Sequence, residues 1–135
     1  YYCKREPVND NKYEDAMSIT IYHNPRCSKS RKTLELLQHA GVTPAIVEYL
    51  KSPPDAATTL RNAKLIGVSV AELLRRGEDE FRQAQDLPDL DDDAALAAWL
   101  EQHPKVIERP IVVDEDSNRA VLGRPPENVL ELVGA

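Results

Sequence analysis

Cysteine is scarce: the 135 residues hold two, Cys3 and Cys27. Two are too few for a disulfide scaffold and point to a reducing, cytoplasmic setting. Long hydrophobic runs are missing. No stretch approaches the ~18–20 apolar residues of a membrane span, so no membrane partner is expected. Positive charge is in deficit, with 17 Lys and Arg against 23 Asp and Glu and a net charge of −6. Such a chain does not bind nucleic acid through bulk charge, although a local basic pocket remains compatible with it. Aromatics make up 5% and suggest no large apolar patch for an oligomer. The Cys and His residues show no metal-ligand spacing, so no metal site is expected. Asp89 to Asp93 lacks the Gly and bidentate Glu of a calcium loop and reads as a helix cap. There is no internal repeat and no low-complexity linker.

What is present fits one domain by length. A chain of this size hides roughly two-thirds of its unfolded surface on folding, enough for a real core. Residues 1–16 have no apolar periodicity and no signal-peptide core. They read as a non-native extension or flexible arm, with the domain spanning 17–135 and Met17 as its start.

The hydrophobic pattern predicts a strand over 19–22, stopped by Asn24-Pro25, and a helix over 28–40, stopped by Gly41. Leu34, Leu36 and Leu37 are its expected apolar stripe. A second strand is expected over 45–50. Ser52-Pro53-Pro54-Asp55 reads as a helix start with Ser52 as N-cap and proline in the first turn, the helix running to Ile66. Ser69 and Glu72 form a capping box for a short helix ending at 73–77. Helical stretches are expected over 78–85 and 94–102, the latter burying Leu96, Trp99 and Leu100. Two strands follow over 111–113 and 119–122. A last helix starts at Pro125-Pro126 and carries Val129, Leu130 and Val133. The order β-α-β, helical block, β-β-α is an α/β pattern. It matches a thioredoxin-like layout with an inserted helical block.

Chemistry concentrates between the first strand and first helix, in His23-Asn24-Pro25-Arg26-Cys27-Ser28-Lys29-Ser30-Arg31. Ligands of α/β sheets bind at such carboxyl ends of strands. Cys27 is placed at the helix N-terminus, where orphan amides and the dipole favour a thiolate, and Arg26, Lys29 and Arg31 add positive charge. The amides of residues 28–31 also suit a phosphate-sized oxyanion, with the Ser28 and Ser30 hydroxyls as extra donors. An anion beside a thiolate calls for guanidinium groups, and Arg75, Arg109 and Arg124 each stand next to a structural stop. Plainer readings stay open. Arg75 and Arg76 also suit the negative end of a helix. Arg109 and Arg124 also suit an ordinary surface, and Cys27 alone a small buried apolar position. His23 either assists the thiolate or is an inert residue at a strand end.

Taken together, His23-Asn24-Pro25-x-Cys27-x-x-Ser30-Arg31, Leu73-Leu74-Arg75, Arg109-Pro110-Ile111-Val112-Val113 and Gly123-Arg124-Pro125-Pro126 resemble the glutaredoxin-coupled bacterial arsenate reductase family. Four motifs occur in the family's order from Met17 onward. The loop Arg26-Cys27-Ser28-Lys29-Ser30 is more basic than in plasmid-type reductases and resembles a chromosomal paralogue group. The resemblance implies a thioredoxin-like fold, four-stranded and mixed, with a helical insert. It implies Cys27 as the nucleophile toward arsenate. The oxyanion pocket would be Arg75, Arg109 and Arg124, and Pro110 the cis-proline beside the active cysteine. With Ser30 where a second cysteine would stand, glutathione is the implied thiol co-substrate and glutaredoxin the partner that clears the mixed disulfide. No bound cofactor is implied. Two alternatives remain. One is a regulator like the Spx proteins of the same superfamily, which dock on RNA polymerase. The other is a glutathione-linked thiol oxidoreductase acting on another substrate.

Overall fold

The computed structural model describes residues 18–133. The expectations placed on residues 1–16 and on Cys3 lie outside them. Strand β1 (Ile19–His23) leads into helix α1 (Ser28–His39), and β2 (Ala45–Glu48) returns parallel to β1. The helical block follows: α2 (Ala56–Ile66), a 3-10 turn (Val70–Leu73), α3 (Asp79–Arg82), α4 (Asp93–Gln102) and a second 3-10 turn (Pro104–Val106). A hairpin of β3 (Ile111–Asp114) and β4 (Arg119–Leu122) then precedes a 3-10 turn (Pro126–Val129) that continues into α5 (Leu130–Val133). The sheet order is β2-β1-β3-β4, parallel between β1 and β2 and antiparallel elsewhere. This is the α/β class that the residue pattern predicts, with the mixed four-stranded sheet that the resemblance implies.

Alternation along the strands sorts the core onto two faces. Ile19, Ile21 and Val112 point to one face, where Leu37 of α1, Val129 and Leu132 cover them. Tyr22, Ile111, Val113 and Ala120 point to the other, beneath Ala63 of α2 and Leu96, Trp99 and Leu100 of α4. Both faces of β1 and β3 are thereby covered, so their open ends are the accessible parts of the central sheet.

Several elements differ from the sequence reading. β2 stops at Glu48, whose carbonyl accepts from Lys51 and Ser52 in a turn. The cap of α2 is Asp55, which accepts from the Thr58 amide at 2.8 Å, so Ser52 is no cap and both prolines precede the helix. The helix after Ser69 is one 3-10 turn, with the Ser69 amide donating to the Glu72 carboxylate at 3.5 Å. It ends because Leu74 leaves it to pair antiparallel with Ile107. The stretch over 78–85 shrinks to Asp79–Arg82. At the C-terminal side the helix opens as a 3-10 turn, and Leu132 joins the expected Val129 in the buried set, with Leu130 and Val133 half-buried against the same core.

Candidate active site

Cys27 occupies the N-cap of α1 with extended backbone and is half-buried. No side chain caps this helix start, which leaves its first amides free of side-chain partners. A tight loop delivers the cysteine: its amide donates to the Asn24 carbonyl at 3.0 Å, and the Asn24 side-chain oxygen accepts from the Arg26 amide at 3.0 Å. Arg31 donates to the Pro25 carbonyl at 2.9 Å, which ties its guanidinium to the loop. Ser28, the first residue of α1, is exposed and its side chain faces no protein partner among the described residues.

Ser30 sits differently from the expectation of an anion donor. It is fully buried, and its Oγ accepts from the Asn24 amide at 3.0 Å and lies 2.6 Å from His23 Nδ1. The hydroxyl is thus a latch between the strand end and the helix. Burial pushes the His23 pKa below its ordinary value, Glu48 opposes the shift and Arg31 adds to it. The surroundings thus disfavour the charged form of the ring.

Arg75, Arg109 and Arg124 are brought together around two carboxylates. Arg75 reaches Glu78 at 3.5 Å and Glu108 at 3.7 Å, Arg109 reaches Glu78 at 3.9 Å, and Arg124 reaches Glu108 at 3.4 Å. These contacts are long for charge-assisted hydrogen bonds. Arg75 Nη1 and Arg109 Nε are buried without a hydrogen bond, as is Glu108 Oε1 beside them, so the ion pairs leave both donors and an acceptor unsatisfied. Unpartnered guanidinium donors in a half-buried cluster are suited to an oxyanion that supplies the missing acceptors. Arg75 does not end a helix, so the dipole reading of it fails. Its amide donates to the Val106 carbonyl at 2.6 Å, on the extended segment that pairs with residues 106–108.

The backbone around the cluster is closely fitted. The Arg109–Pro110 and Arg124–Pro125 bonds are cis. The Gly123 amide donates to the Pro110 carbonyl at 2.8 Å, and a Cβ on Gly123 would stand 2.7 Å from Pro110 Cγ and 2.8 Å from Thr33 Oγ1. Only glycine lets β4 approach Pro110 and α1 this closely.

Three residues escaped the sequence reading. Glu78 and Glu108 carry the arginine cluster, and their spacing from Arg75 and Arg109 was the available signal. Tyr49, read as a strand former, is buried with its hydroxyl lacking a hydrogen-bond partner of good geometry. Burial holds its pKa far above the ordinary range, with the Asn24 side chain, Cys27, Arg75 and Glu78 all within electrostatic reach. Among the described residues no group of three or more His, Cys, Asp and Glu side chains is placed to hold a metal. No helix there is long and apolar enough to cross a membrane.

Comparison with known proteins places this geometry in a family. The model of the ArsC family matches residues 22–132. The chain belongs to the ArsC family. It is 47% identical over 117 residues to YfgD of Escherichia coli (strain K12), covering 86% of this chain and 97% of that protein. It is 42% identical over 118 residues to an arsenate reductase of Haemophilus influenzae, covering 87% of this chain and all of that protein. The solved structure of an arsenate reductase from Vibrio cholerae superposes with a TM-score of 0.75 at 43% identity, over 86% of this chain and 98% of that one.

Proposed function

We propose that the protein is a cytoplasmic arsenate reductase. Cys27 is its nucleophile, glutathione its thiol co-substrate and glutaredoxin the partner that restores the free thiol. The observation that carries this reading is the gathering of Arg75, Arg109 and Arg124 around Glu78 and Glu108 with guanidinium donors left unpartnered. The 40–43% identical relatives that bear the arsenate reductase name support the substrate.

The steps follow from the residues. Arsenate enters the arginine cluster, where it competes with the two glutamates for the guanidinium groups. The α1 amides and exposed Ser28 supply further donors. The Cys27 thiolate attacks arsenic, an S–As bond forms, and one oxygen leaves as hydroxide. Well-placed donors to the developing oxyanion commonly contribute ~3–4 kcal/mol each. The glutathione thiolate then attacks Cys27 Sγ. The S–As bonding pair stays on arsenic, which becomes As(III), while the two sulfurs are oxidised to a mixed disulfide. Glutaredoxin attacks the glutathione sulfur and frees Cys27. Ser30, His23, Asn24, Arg31 and Pro110 hold the loop and pocket in shape and are positioning residues.

The test is a coupled assay with arsenate, glutathione, glutathione reductase and glutaredoxin, read as NADPH consumption. Wild type is expected to turn over and Cys27→Ser to give background only. Turnover by Cys27→Ser removes the cysteine from the mechanism.

A further inference from the structure

A pocket of about 330 Å³ opens beside the cysteine loop, outside the arginine cluster. Its walls are His23, Asn24, Pro25 and Arg26 on the loop and Glu48, Leu50 and Lys51 at the end of β2. The sheet order fixes its side. Cys27 follows β1; Arg109 and Arg124 flank β3 and β4 on one side of β1, and β2 with this pocket lies on the other. Substitution at a sulfur proceeds with the incoming and leaving atoms on opposite sides of it. A thiol that attacks Cys27 Sγ while arsenic is held by the arginines must therefore arrive from the side opposite the arsenic, and the pocket at the β2 edge lies away from Arg109 and Arg124.

The pocket also has a charge pattern. His23 and Asn24 form a buried floor, while Arg26, Leu50 and Lys51 are exposed. Among the described residues the Arg26 guanidinium makes no ion pair or hydrogen bond, while its backbone amide donates to Asn24 Oδ1. Lys51 pairs with Glu48 at 3.4 Å but is 81% exposed, so the pair is easily exchanged. Two separable cations and one carboxylate complement a ligand with two carboxylates and one ammonium group. The volume is at the lower end of small-molecule sites, which suits a tripeptide.

We propose that this pocket is the subsite for the peptide thiol co-substrate, with Arg26 and Lys51 facing its two carboxylates and Glu48 its ammonium group. Leu50 and Pro25 face its methylene stems. The inference rests on the reading of Cys27 as a nucleophile resolved by an external thiol. Its binding test does not need turnover.

The probe is S-methylglutathione, a thioether that cannot react, titrated into the wild-type chain and followed by amide chemical shifts. Saturable shifts are expected at residues 24, 26 and 48–51. Lys51→Glu is expected to weaken the probe about fivefold or more, less at high salt. In the coupled assay the same variant should raise KM for glutathione by a similar factor. KM for arsenate should stay within twofold, as should arsenite formation, measured directly, when uncharged 2-mercaptoethanol replaces glutathione. Shifts centred instead on Arg75, Arg109 and Arg124, or a Lys51→Glu affinity within twofold of wild type, overturn the assignment. If the probe binds as described and wild type turns over no arsenate, the pocket stands and the activity reading falls.

Discussion

Replacing Ser30 by alanine separates two roles that the sequence left fused. A hydroxyl that donates to the substrate anion and a hydroxyl that latches the loop predict different losses. In the structure the Ser30 Oγ accepts from the Asn24 amide at 3.0 Å and contacts His23 Nδ1 at 2.6 Å, with no exposed surface. Alanine at 30 leaves an amide and a ring nitrogen buried without partners. Each such group costs about 1–3 kcal/mol, so with some relaxation the sum is about 2–4 kcal/mol. Urea unfolding of Ser30→Ala should show a midpoint lower by about 1–2 M with an unchanged slope. Because the latch sits three residues from Cys27, kcat should fall while KM for arsenate changes little. A midpoint within error of wild type, together with a raised KM for arsenate, would contradict the latch and restore Ser30 to the anion pocket.

Gly123→Ala should lower the melting temperature by several degrees, because its Cβ at 2.7 Å from Pro110 Cγ forces β4 away from Pro110, at a cost of about 1–3 kcal/mol. A shift under ~1 °C would show that the contact yields freely. The His23 pKa is lowered in the fold by burial, so below the ordinary value of 6.5 the unfolded chain takes up the proton first. This contribution to stability is complete above pH 6.5 and is lost as the pH falls below that value toward the lowered one. Unfolding free energy measured from pH 7.5 down to 5.5 should decline in wild type, about flatly less so in His23→Gln; equal slopes would remove His23 as the titrating group.

Much of the site was legible because its chemistry is local. The strand end at Asn24-Pro25, the helix start after Cys27 and the three arginines beside structural stops are all short-range signals. What escaped is set by contacts distant in the chain. Arg75 looked like a helix end because a capping box precedes it, but the turn is cut short by pairing with residues 106–108. The fully buried positions of α1 are Ser30, Thr33 and Leu37, with the expected Leu34 and Leu36 half-buried against the same core. Two hydroxyls go inside because each has a partner, His23 with Asn24 for Ser30 and the Lys29 carbonyl for Thr33. Apolar periodicity does not register such positions. Glu78 and Glu108 were passed over because an acid has no evident place in an anion pocket until the arginines are seen to need counter-ions. Tyr49 carried only a strand propensity, and its burial just past the end of β2 depends on where that strand stops.

The claim that a single thiol works on an anion held by guanidinium groups is tested most directly by arsenate protection of Cys27. Alkylation by neutral iodoacetamide, followed at the Cys27 peptide by mass spectrometry, should slow in a saturable way as arsenate is added to wild type. In Arg109→Ala the rate without arsenate should be close to that of wild type, and protection should require far more arsenate. A Cys27 alkylation rate indifferent to arsenate, or protection that survives Arg109→Ala unchanged, would contradict the account.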